Sequence, residues 1–292
     1  MPLTVLVTGG SGFTGQHFLQ QAVAAGHEVV AMARTTAAAE RVQRCGARPI
    51  AGDLDDPASV DAAFAGARAD VLVNIASMGF GHAPVIVSAA EDAGIRRAVF
   101  VSTTAVTTRL PAQTKRVRLE AEATVRDSAL DWTIIRPTMI YGTPADRNLS
   151  RLLGALRRAP VLPLPGGGRR LQQPVHVDDL AAALLAAATM PAAVGGTYDI
   201  AGPAPLTFAD LVREAALAVG RRPLLLPVPL WLAIAPLRLY ERIAPRPRLK
   251  AEQLERLAED KAFSIEDAVR DFGYQPRSFR DGIRSEAALL SA

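Results

Sequence analysis

Three glycines spaced three residues apart follow the first apolar run of the chain and precede a helical pattern. At a turn from strand to helix, Gly9 can adopt backbone angles denied to other residues, Gly12 lets a phosphate approach the backbone, and Gly15 lets the helix lie close to the strand. The unpaired N–H groups and the positive dipole end of the helix then face the anion. Because residues 3–7 have a strand pattern and residues 18–23 a helical one, we predict a dinucleotide pyrophosphate site. The backbone groups expected at this site belong to Gly9, Gly12, Phe13, Thr14 and Gly15.

The end of the second predicted strand, residues 28–33, bears on the choice of dinucleotide. An acidic residue there would bind the adenosine ribose and favour NAD(H), whereas the chain has Arg34 followed by Thr35. A guanidinium fork with a hydroxyl neighbour suits a 2′-phosphate, so the sequence favours NADP(H) over NAD(H). The alternative is an arginine that is simply solvated at a strand end.

Strand and helix patterns then alternate along the chain. This alternation predicts a parallel sheet with helices on both faces, and ligands of such sheets bind at the carboxyl ends of the strands. We therefore expect Asp53 and Leu54 near the adenine, and Ala76 and Ser77 beneath the ribose or nicotinamide. The predicted strands are 48–51, 70–76, 98–102 and 132–136, and the predicted helices are 37–44, 58–64, 84–93 and 116–126.

Length and composition exclude several classes of protein. The 292 residues suffice for one large α/β domain or for a nucleotide-binding domain with a smaller cap. No uninterrupted apolar run reaches the roughly 18 residues of a membrane span, and no signal peptide opens the sequence, so we expect a soluble, cytoplasmic protein. The basic residues are dispersed and not interleaved with aromatics, which argues against a nucleic-acid partner. The single cysteine, Cys45, cannot form an internal disulfide, and no metal site is predicted.

Taken together, five motifs resemble those of extended or atypical short-chain dehydrogenase/reductases, namely the sugar-nucleotide epimerase/dehydratase type and the groups similar to NmrA and the complex I accessory subunit. The motifs are the glycine triplet, Gly-Asp-Leu at 52–54, Val-Ser-Thr-Thr at 101–104, the stretch from Leu130 to Gly142 that contains Arg136-Pro137-Thr138, and Pro-Val-His-Val-Asp-Asp at 174–179.

The resemblance implies a Rossmann-type α/β fold, a doubly wound parallel sheet with a small C-terminal α/β substrate lobe. The NADP-binding domain would comprise residues 1–142 with 174–202 returning to it. The substrate lobe would comprise residues 143–173 and 203–292. The resemblance also places Ser102, Pro137 and Thr138 along the cofactor.

Catalysis in this family depends on a hydroxyl residue and on a tyrosine and a lysine four residues apart, of which the lysine lowers the pKa of the tyrosine. Thr104 stands at the hydroxyl position. The tyrosine position falls on Thr114 and the lysine position on Arg118, and a register that uses Lys115 puts Pro111 at the tyrosine position. The usual pair is therefore missing in either register.

Three interpretations stay open. The protein could be a reductase or epimerase whose proton comes from Tyr141, His82, His176 or water; a reductase of a substrate such as a quinone, which needs little protein acid; or a sensor or assembly subunit that binds NADP(H) without turnover. We favour an NADP(H)-dependent oxidoreductase or epimerase/dehydratase-like enzyme acting on a small carbonyl, quinone or sugar-nucleotide substrate. For Tyr141 itself, a structural role in its turn is the favoured alternative to catalysis.

The most apolar stretch of the sequence, residues 224–237, is too short and too interrupted by proline to span a bilayer. One interpretation is a buried strand and helix of the substrate lobe. The other, suggested by the flanking Arg222 and Arg238, is a surface that touches a membrane or admits a lipophilic substrate. We expect a monomer or a homodimer.

Overall fold

The computed structural model describes residues 2–109, 113–146, 148–243 and 259–290. Thirteen strands and eleven longer helices alternate along these residues. The strands are β1 (Thr4–Thr8), β2 (Glu28–Ala33), β3 (Arg48–Ala51), β4 (Val71–Asn74), β5 (Arg97–Val101), β6 (Asp131–Pro137), β7 (Ile140–Tyr141), β8 (Val161–Pro165), β9 (Leu171–Gln172), β10 (Val175–His176), β11 (Thr197–Ile200), β12 (Leu206–Thr207) and β13 (Leu224–Val228). The helices are α1 (Phe13–Ala24), α2 (Thr36–Arg44), α3 (Pro57–Ala67), α4 (Ala83–Asp92), α5 (Gln113–Arg126), α6 (Leu149–Arg158), α7 (Val177–Thr189), α8 (Phe208–Ala218), α9 (Leu230–Ile243), α10 (Glu266–Phe272) and α11 (Phe279–Leu289).

The chain forms two compact units. The first contains Met1–Thr138, Val177–Ile200 and Ser264–Gln275, and the second contains Met139–His176, Ala201–Phe263 and Pro276–Ala292. This partition differs from the sequence expectation because 139–142 and 174–176 group with the second unit, as do 201–202, and 264–275 with the first. The pairing of β7 with β10 explains the first difference, since it ties these segments to each other. The predicted lobe at 203–292 also includes 244–258, which lie outside the described residues.

A seven-stranded parallel sheet organises the first unit, in the order β11-β6-β5-β4-β1-β2-β3. The predicted Rossmann-type α/β fold is thereby confirmed. The strand order reverses at β1, which has β2 on one side and β4 on the other, and ligands of open parallel sheets bind at such a switch point. The glycine turn leaves β1 at this point.

Local sequence explains where the helices of the first unit begin. The Thr35 hydroxyl accepts a hydrogen bond from the Ala38 N–H at the start of α2. Asp56 does the same for Ala58 at the start of α3, where Pro57 occupies the first helical position. Asp56 is therefore the cap of α3. Cys45, which ends α2, is buried, and burial raises the pKa of its thiol.

In the second unit, three two-stranded sheets surround a helical core. β7 pairs with β10 and β8 with β13 in parallel, whereas β9 and β12 are antiparallel. Helices α6, α8 and α11 bury one apolar face each, and the Thr207 hydroxyl caps α8 by accepting from the Asp210 N–H. The fully buried side chains of this core include Leu153, Leu211, Val212 and Ile283.

Candidate functional site

The turn after β1 has the backbone geometry that a pyrophosphate site needs. Gly9 has a φ of +74°, and a Cβ there would lie 2.6 Å from the Ala76 nitrogen. A Cβ at Gly15 would lie 2.3 Å from the Gly9 oxygen, so a larger residue would push α1 away from the strand. The N–H of Gly12 donates to the Gly9 oxygen at 3.1 Å and closes the turn.

The N-terminus of α1 fits an anion. Gly12 precedes the helix with extended backbone, and no side chain of the described chain caps this end. The first-turn amides, those of Phe13, Thr14 and Gly15, therefore lack the side-chain acceptor that starts α2 or α3. Since unpaired amides and the helix dipole both favour negative charge, the residues present fit the diphosphate of a dinucleotide.

A buried hydrogen bond fixes the neighbouring loop beside the glycine turn. The Thr8 hydroxyl donates to the Asn74 side-chain oxygen at 2.5 Å, and the Asn74 amide donates to the Ala76 carbonyl at 3.3 Å. Ala76 therefore lies against Gly9. The Ser77 hydroxyl accepts from the Gly79 N–H at 3.2 Å and so starts the short 3-10 helix Met78–Phe80. Both residues lie at the carboxyl end of β4, where the sequence places the cofactor.

Arg34 lies between two carboxylates at the end of β2. Its Nη1 is 3.3 Å from Asp55 Oδ2 and 3.6 Å from Asp53 Oδ1, with 63% of the side chain exposed. Asp55 also contacts His82, whose Nε2 is 2.9 Å from Asp55 Oδ1. His82, considered as a proton source, thus belongs to the group of side chains around Arg34. Leu54 packs against the apolar core of the unit.

The hydroxyls after β5 point to different partners. The Thr104 hydroxyl donates to the Pro137 carbonyl at 3.3 Å, and the side chain is almost completely buried. The Ser102 hydroxyl donates to Glu122 Oε1 at 2.6 Å. Thr138 is held to β11, because its N–H donates to the Ile200 carbonyl at 3.0 Å. Ser102, Thr104, Pro137 and Thr138 all lie in the first unit, and their contacts to a cofactor stay predictions.

The two positions where the family has tyrosine and lysine interact with each other. Arg118 Nη1 donates to the Thr114 hydroxyl at 2.7 Å across one turn of α5. The guanidinium also lies over the loop after β4, since its Nε is 3.2 Å from the position that a Cβ on Gly79 would occupy. Lys115 donates to the Thr108 carbonyl at 2.5 Å, and Pro111 lies outside the described residues. A hydroxyl and a permanent cation thus replace the phenol and the amine.

Sequence reasoning missed a buried carboxylate behind this helix. Glu122 is fully buried, and both of its oxygens accept from the Arg136 guanidinium, with Nε at 2.9 Å from Oε1. Burial on its own would raise the pKa of Glu122, but the hydrogen bonds from Arg136, Ser102 and Arg126 outweigh burial and hold it below its ordinary value. The same bond to Glu122 raises the pKa of Arg136. The sequence did contain a sign of this burial, because Glu122 lies between Ala121 and Val125 on the apolar side of α5.

Tyr141 belongs to the core of the second unit, with 1% of its surface exposed. Its ring makes an edge contact with His176 at a centroid distance of 5.2 Å and a tilted contact with Phe279 at 5.3 Å. The hydroxyl packs against α11, because a Cβ on Gly282 would lie 2.2 Å from it. Tyr141 and His176, both considered as proton sources, are thus neighbours in one packed cluster.

A second buried carboxyl holds the turn after Tyr141. Gly142, with a φ of +134°, donates its N–H to Glu286 Oε2 at 3.1 Å. Burial and the neighbouring Asp146 carboxyl raise the pKa of Glu286 to about 9, against the opposing effect of the Gly142 N–H. Asp146 itself accepts from the N–H groups of Asn148 and Leu149 at 2.8 Å and so starts α6. The sequence offered no sign of these contacts, since Gly142 and Glu286 are 144 residues apart.

Residues 9–191 match the family model described as NAD(P)H-binding. The chain belongs to this family of Rossmann-fold proteins, and its homologues are atypical short-chain dehydrogenase/reductases, which confirms the resemblance seen in the sequence. It is similar to 2-alkyl-3-oxoalkanoate reductase of Stenotrophomonas maltophilia (strain K279a), with 31% identity over 99% of this chain and 100% of that protein.

Two further relatives support the same assignment. The 4-hydroxy-2-methyl-3-oxo-4-farnesyl-3,4-dihydroquinoline-1-oxide ketoreductase of Stigmatella aurantiaca is 30% identical over 64% of each chain. The structure of UDP-glucose 4-epimerase of Thermus thermophilus in complex with NAD superposes with a TM-score of 0.73, at 20% identity, over 99% of both chains. At that identity the similarity to the epimerase concerns the fold. Among the residues that the structure describes, no helix combines the length and apolarity needed to cross a bilayer.

Proposed function

We propose that the protein is an NADP(H)-dependent reductase that converts a ketone on a lipophilic, alkyl-bearing substrate to an alcohol. The observation that carries this proposal is the Thr114–Arg118 pair, which supplies a cation and a hydroxyl but no group able to act as a base near neutral pH. Oxidation of an alcohol, with which epimerases and dehydratases begin, needs such a base. Reduction of a ketone does not, because the product oxygen can take its proton from water.

The side chains of the first unit have distinct roles in this proposal. A reduced nicotinamide, when bound, would supply the hydride for the carbonyl carbon. Arg118 offers guanidinium N–H donors that stabilise the negative charge that develops on the substrate oxygen, and Thr114 fixes the direction of that guanidinium. Thr104 contributes a hydroxyl at the position where the family has its catalytic hydroxyl residue. Glu122 and Arg136 support α5 from its buried side.

The relatives favour a ketone with long apolar substituents over a sugar nucleotide. Both reductases are named for oxo substrates that carry alkyl or farnesyl groups, and one of them aligns with the whole chain. We extend this substrate class to the present chain.

The test is the oxidation of NADPH by the purified protein, measured with 2-alkyl-3-oxo acids of increasing chain length, with quinones and with UDP-glucose. We expect turnover with the oxo acids and a fall in kcat of about 10–100-fold for Arg118→Met, with partial recovery in Arg118→Lys. Arg116→Met is the matched control, because Arg116 lies on the same helix, exposed and paired with Glu120. Equal rates for Arg118→Met and Arg116→Met would contradict the role given to Arg118.

A second candidate function is NADP(H) binding without turnover, as in a sensor or assembly protein. The replacement of the tyrosine and lysine by Thr114 and Arg118 favours it, since a threonine hydroxyl is a poor acid. Tight NADPH binding without oxidation of any substrate in the panel would support this candidate over the reductase.

A further inference from the structure

The two-stranded ribbon of β8 and β13 has an apolar outer face in the second unit. Its register pairs Leu224 with Val161 and Leu226 with Pro163, so these side chains share one side of the ribbon. Leu224 is 60% exposed, Leu226 44% and Val161 41%. The alternate residues, which include Leu162, Leu164 and Leu225, face the core. A strand that covers a core normally places polar residues on its outer side, and here both sides are apolar.

Helix α9 follows β13 directly and also has exposed apolar side chains. None of its described side chains is buried, although its first eight residues, Leu230–Leu237, are all apolar. Trp231 is 70% exposed, Leu232 48% and Ile243 73%, and helical geometry places these three within the same half of the helix surface. The opposite half, with Ala233 and Leu237, is half-buried. The interpretation of 224–237 as a buried strand and helix is therefore wrong, because none of its side chains is buried, although Leu225 packs against the core of the second unit.

Arginines cluster at one end of the ribbon. The strands are parallel, and the Leu224 N–H donates to the Pro160 carbonyl at 2.9 Å, so the residues that precede both strands lie together. These include Arg158, Arg221 and Arg222, all exposed. None of the three has a carboxylate partner among the described residues, whereas exposed arginines elsewhere do, such as Arg270 with Asp267 and Arg280 with Glu214. A cavity of about 380 Å³ at this end is lined by Arg221, Arg222, Leu217 and Leu224, among others.

We propose that the outer face of the β8–β13 ribbon, α9 and the cluster of Arg158, Arg221 and Arg222 form a binding surface for anionic phospholipid membranes. Apolar side chains such as Trp231 and Leu232 enter the headgroup boundary, and the arginines meet lipid phosphates. Charge selects this occupant over a second copy of the chain, because a self-complementary contact centred on this cluster would bring together two sets of three arginines that have no carboxylate partner among the described residues. The proposal does not depend on the reductase activity, since binding is measured without turnover.

The experiment is co-sedimentation of the full chain with vesicles of phosphatidylcholine and phosphatidylglycerol, compared with vesicles of phosphatidylcholine alone. We expect binding to the mixed vesicles, at least about tenfold weaker binding to the neutral ones, and release by high salt. Trp231→Ser and the double variant Arg221→Gln/Arg222→Gln should each weaken binding by about tenfold. Met190→Ser, at an apolar side chain of the first unit that is 46% exposed, and Arg116→Gln are the matched controls.

Tryptophan fluorescence tests the same surface in the wild-type chain. Trp231 emission should shift to shorter wavelength when mixed vesicles are added, and Trp231→Phe should abolish the shift while Trp132 still emits. Failure of the wild-type chain to bind mixed vesicles would overturn the proposal. So would equal binding by the Trp231 and arginine variants and their controls, or a dimer in solution that the same variants dissociate.

Discussion

At the scale of single residues, Arg34 is the side chain that bears on cofactor choice, and two carboxylates already engage it. An exposed ion pair of this kind contributes about 0–1 kcal/mol, so a 2′-phosphate with bidentate hydrogen bonds can displace Asp53 and Asp55 from the guanidinium. Arg34 therefore supports a proposed preference for NADP(H), and the two carboxylates make that preference weaker than an unpaired arginine would.

Substitution of Arg34 and Asp55 should move NADPH affinity in opposite directions. We expect Arg34→Gln to raise the Kd for NADPH by about tenfold or more and to leave NADH within about twofold, because the 2′-phosphate distinguishes the two. Asp55→Asn should tighten NADPH binding. Arg44→Gln, at an exposed residue at the end of α2, is the control. Calorimetric titration with both dinucleotides measures each effect, and equal losses for NADPH and NADH in Arg34→Gln would refute the proposed preference.

Glu286 should make stability depend on pH in an unusual direction. Its folded pKa of about 9 exceeds the ordinary value of 4.5, so the folded state binds the proton that the unfolded state releases between these values. The contribution of Glu286 to the free energy of unfolding is fully present at low pH. It falls as pH rises toward 9, by at most about 1.4 kcal/mol per pH unit. Urea unfolding of the wild type at a series of pH values measures the slope.

The neutral isostere separates this effect from general charge effects. Glu286→Gln should flatten the decline above about pH 5 and gain stability relative to the wild type as pH rises, provided that its amide accepts from Gly142 as the carboxyl does. Glu266→Gln, at an exposed residue of α10, should keep the wild-type slope. Identical slopes for Glu286→Gln and Glu266→Gln would show that Glu286 releases its proton normally in the folded protein.

At the scale of elements, the glycine turn and α1 depend on close backbone contact. Gly15→Ala should cost about 1–3 kcal/mol, because its Cβ would overlap the Gly9 oxygen, and it should abolish dinucleotide binding as α1 moves away. Gly154→Ala is the matched control, since Gly154 is also helical but has open space around it. There we expect a gain of about 0.5–1 kcal/mol from helix propensity. Thermal unfolding with and without NADPH measures both, and similar melting temperatures for the two variants would contradict the geometry.

Much of the first unit follows from the sequence because its signals are local. The strand predicted at 48–51 coincides with β3, and the helix predicted at 116–126 falls within α5, since alternating apolar runs and turns determine both. The sequence left open whether α9 is buried or faces outward, because a helix that is apolar on most sides does not reveal which side meets the core. The partners of Glu122 and Glu286 did not follow either, since Arg136 lies on a neighbouring strand and Gly142 is 144 residues from Glu286.

At the scale of the whole molecule, each unit is assembled from three separate segments of the chain. The segments of the two units alternate along the chain, so the core of each unit needs segments that the other unit separates in sequence. We therefore expect the two units to unfold together. Differential scanning calorimetry should show one transition whose calorimetric and van't Hoff enthalpies agree. Two resolved transitions, or a van't Hoff enthalpy well below the calorimetric one, would mean that the units are independent.

The rate at which the single cysteine reacts with a thiol reagent can report local opening of the first unit. Cys45 is the only thiol in the sequence and is buried at the end of α2, in the first unit. A thiol reagent in excess can react only when this part of the chain opens, so the labelling rate reports the frequency of that opening under native conditions. A ligand that binds beside α2 will slow the reaction in proportion to the opening that it suppresses. The chain therefore carries its own measure of occupancy at the dinucleotide site, one that needs neither a substrate nor a catalytic turnover.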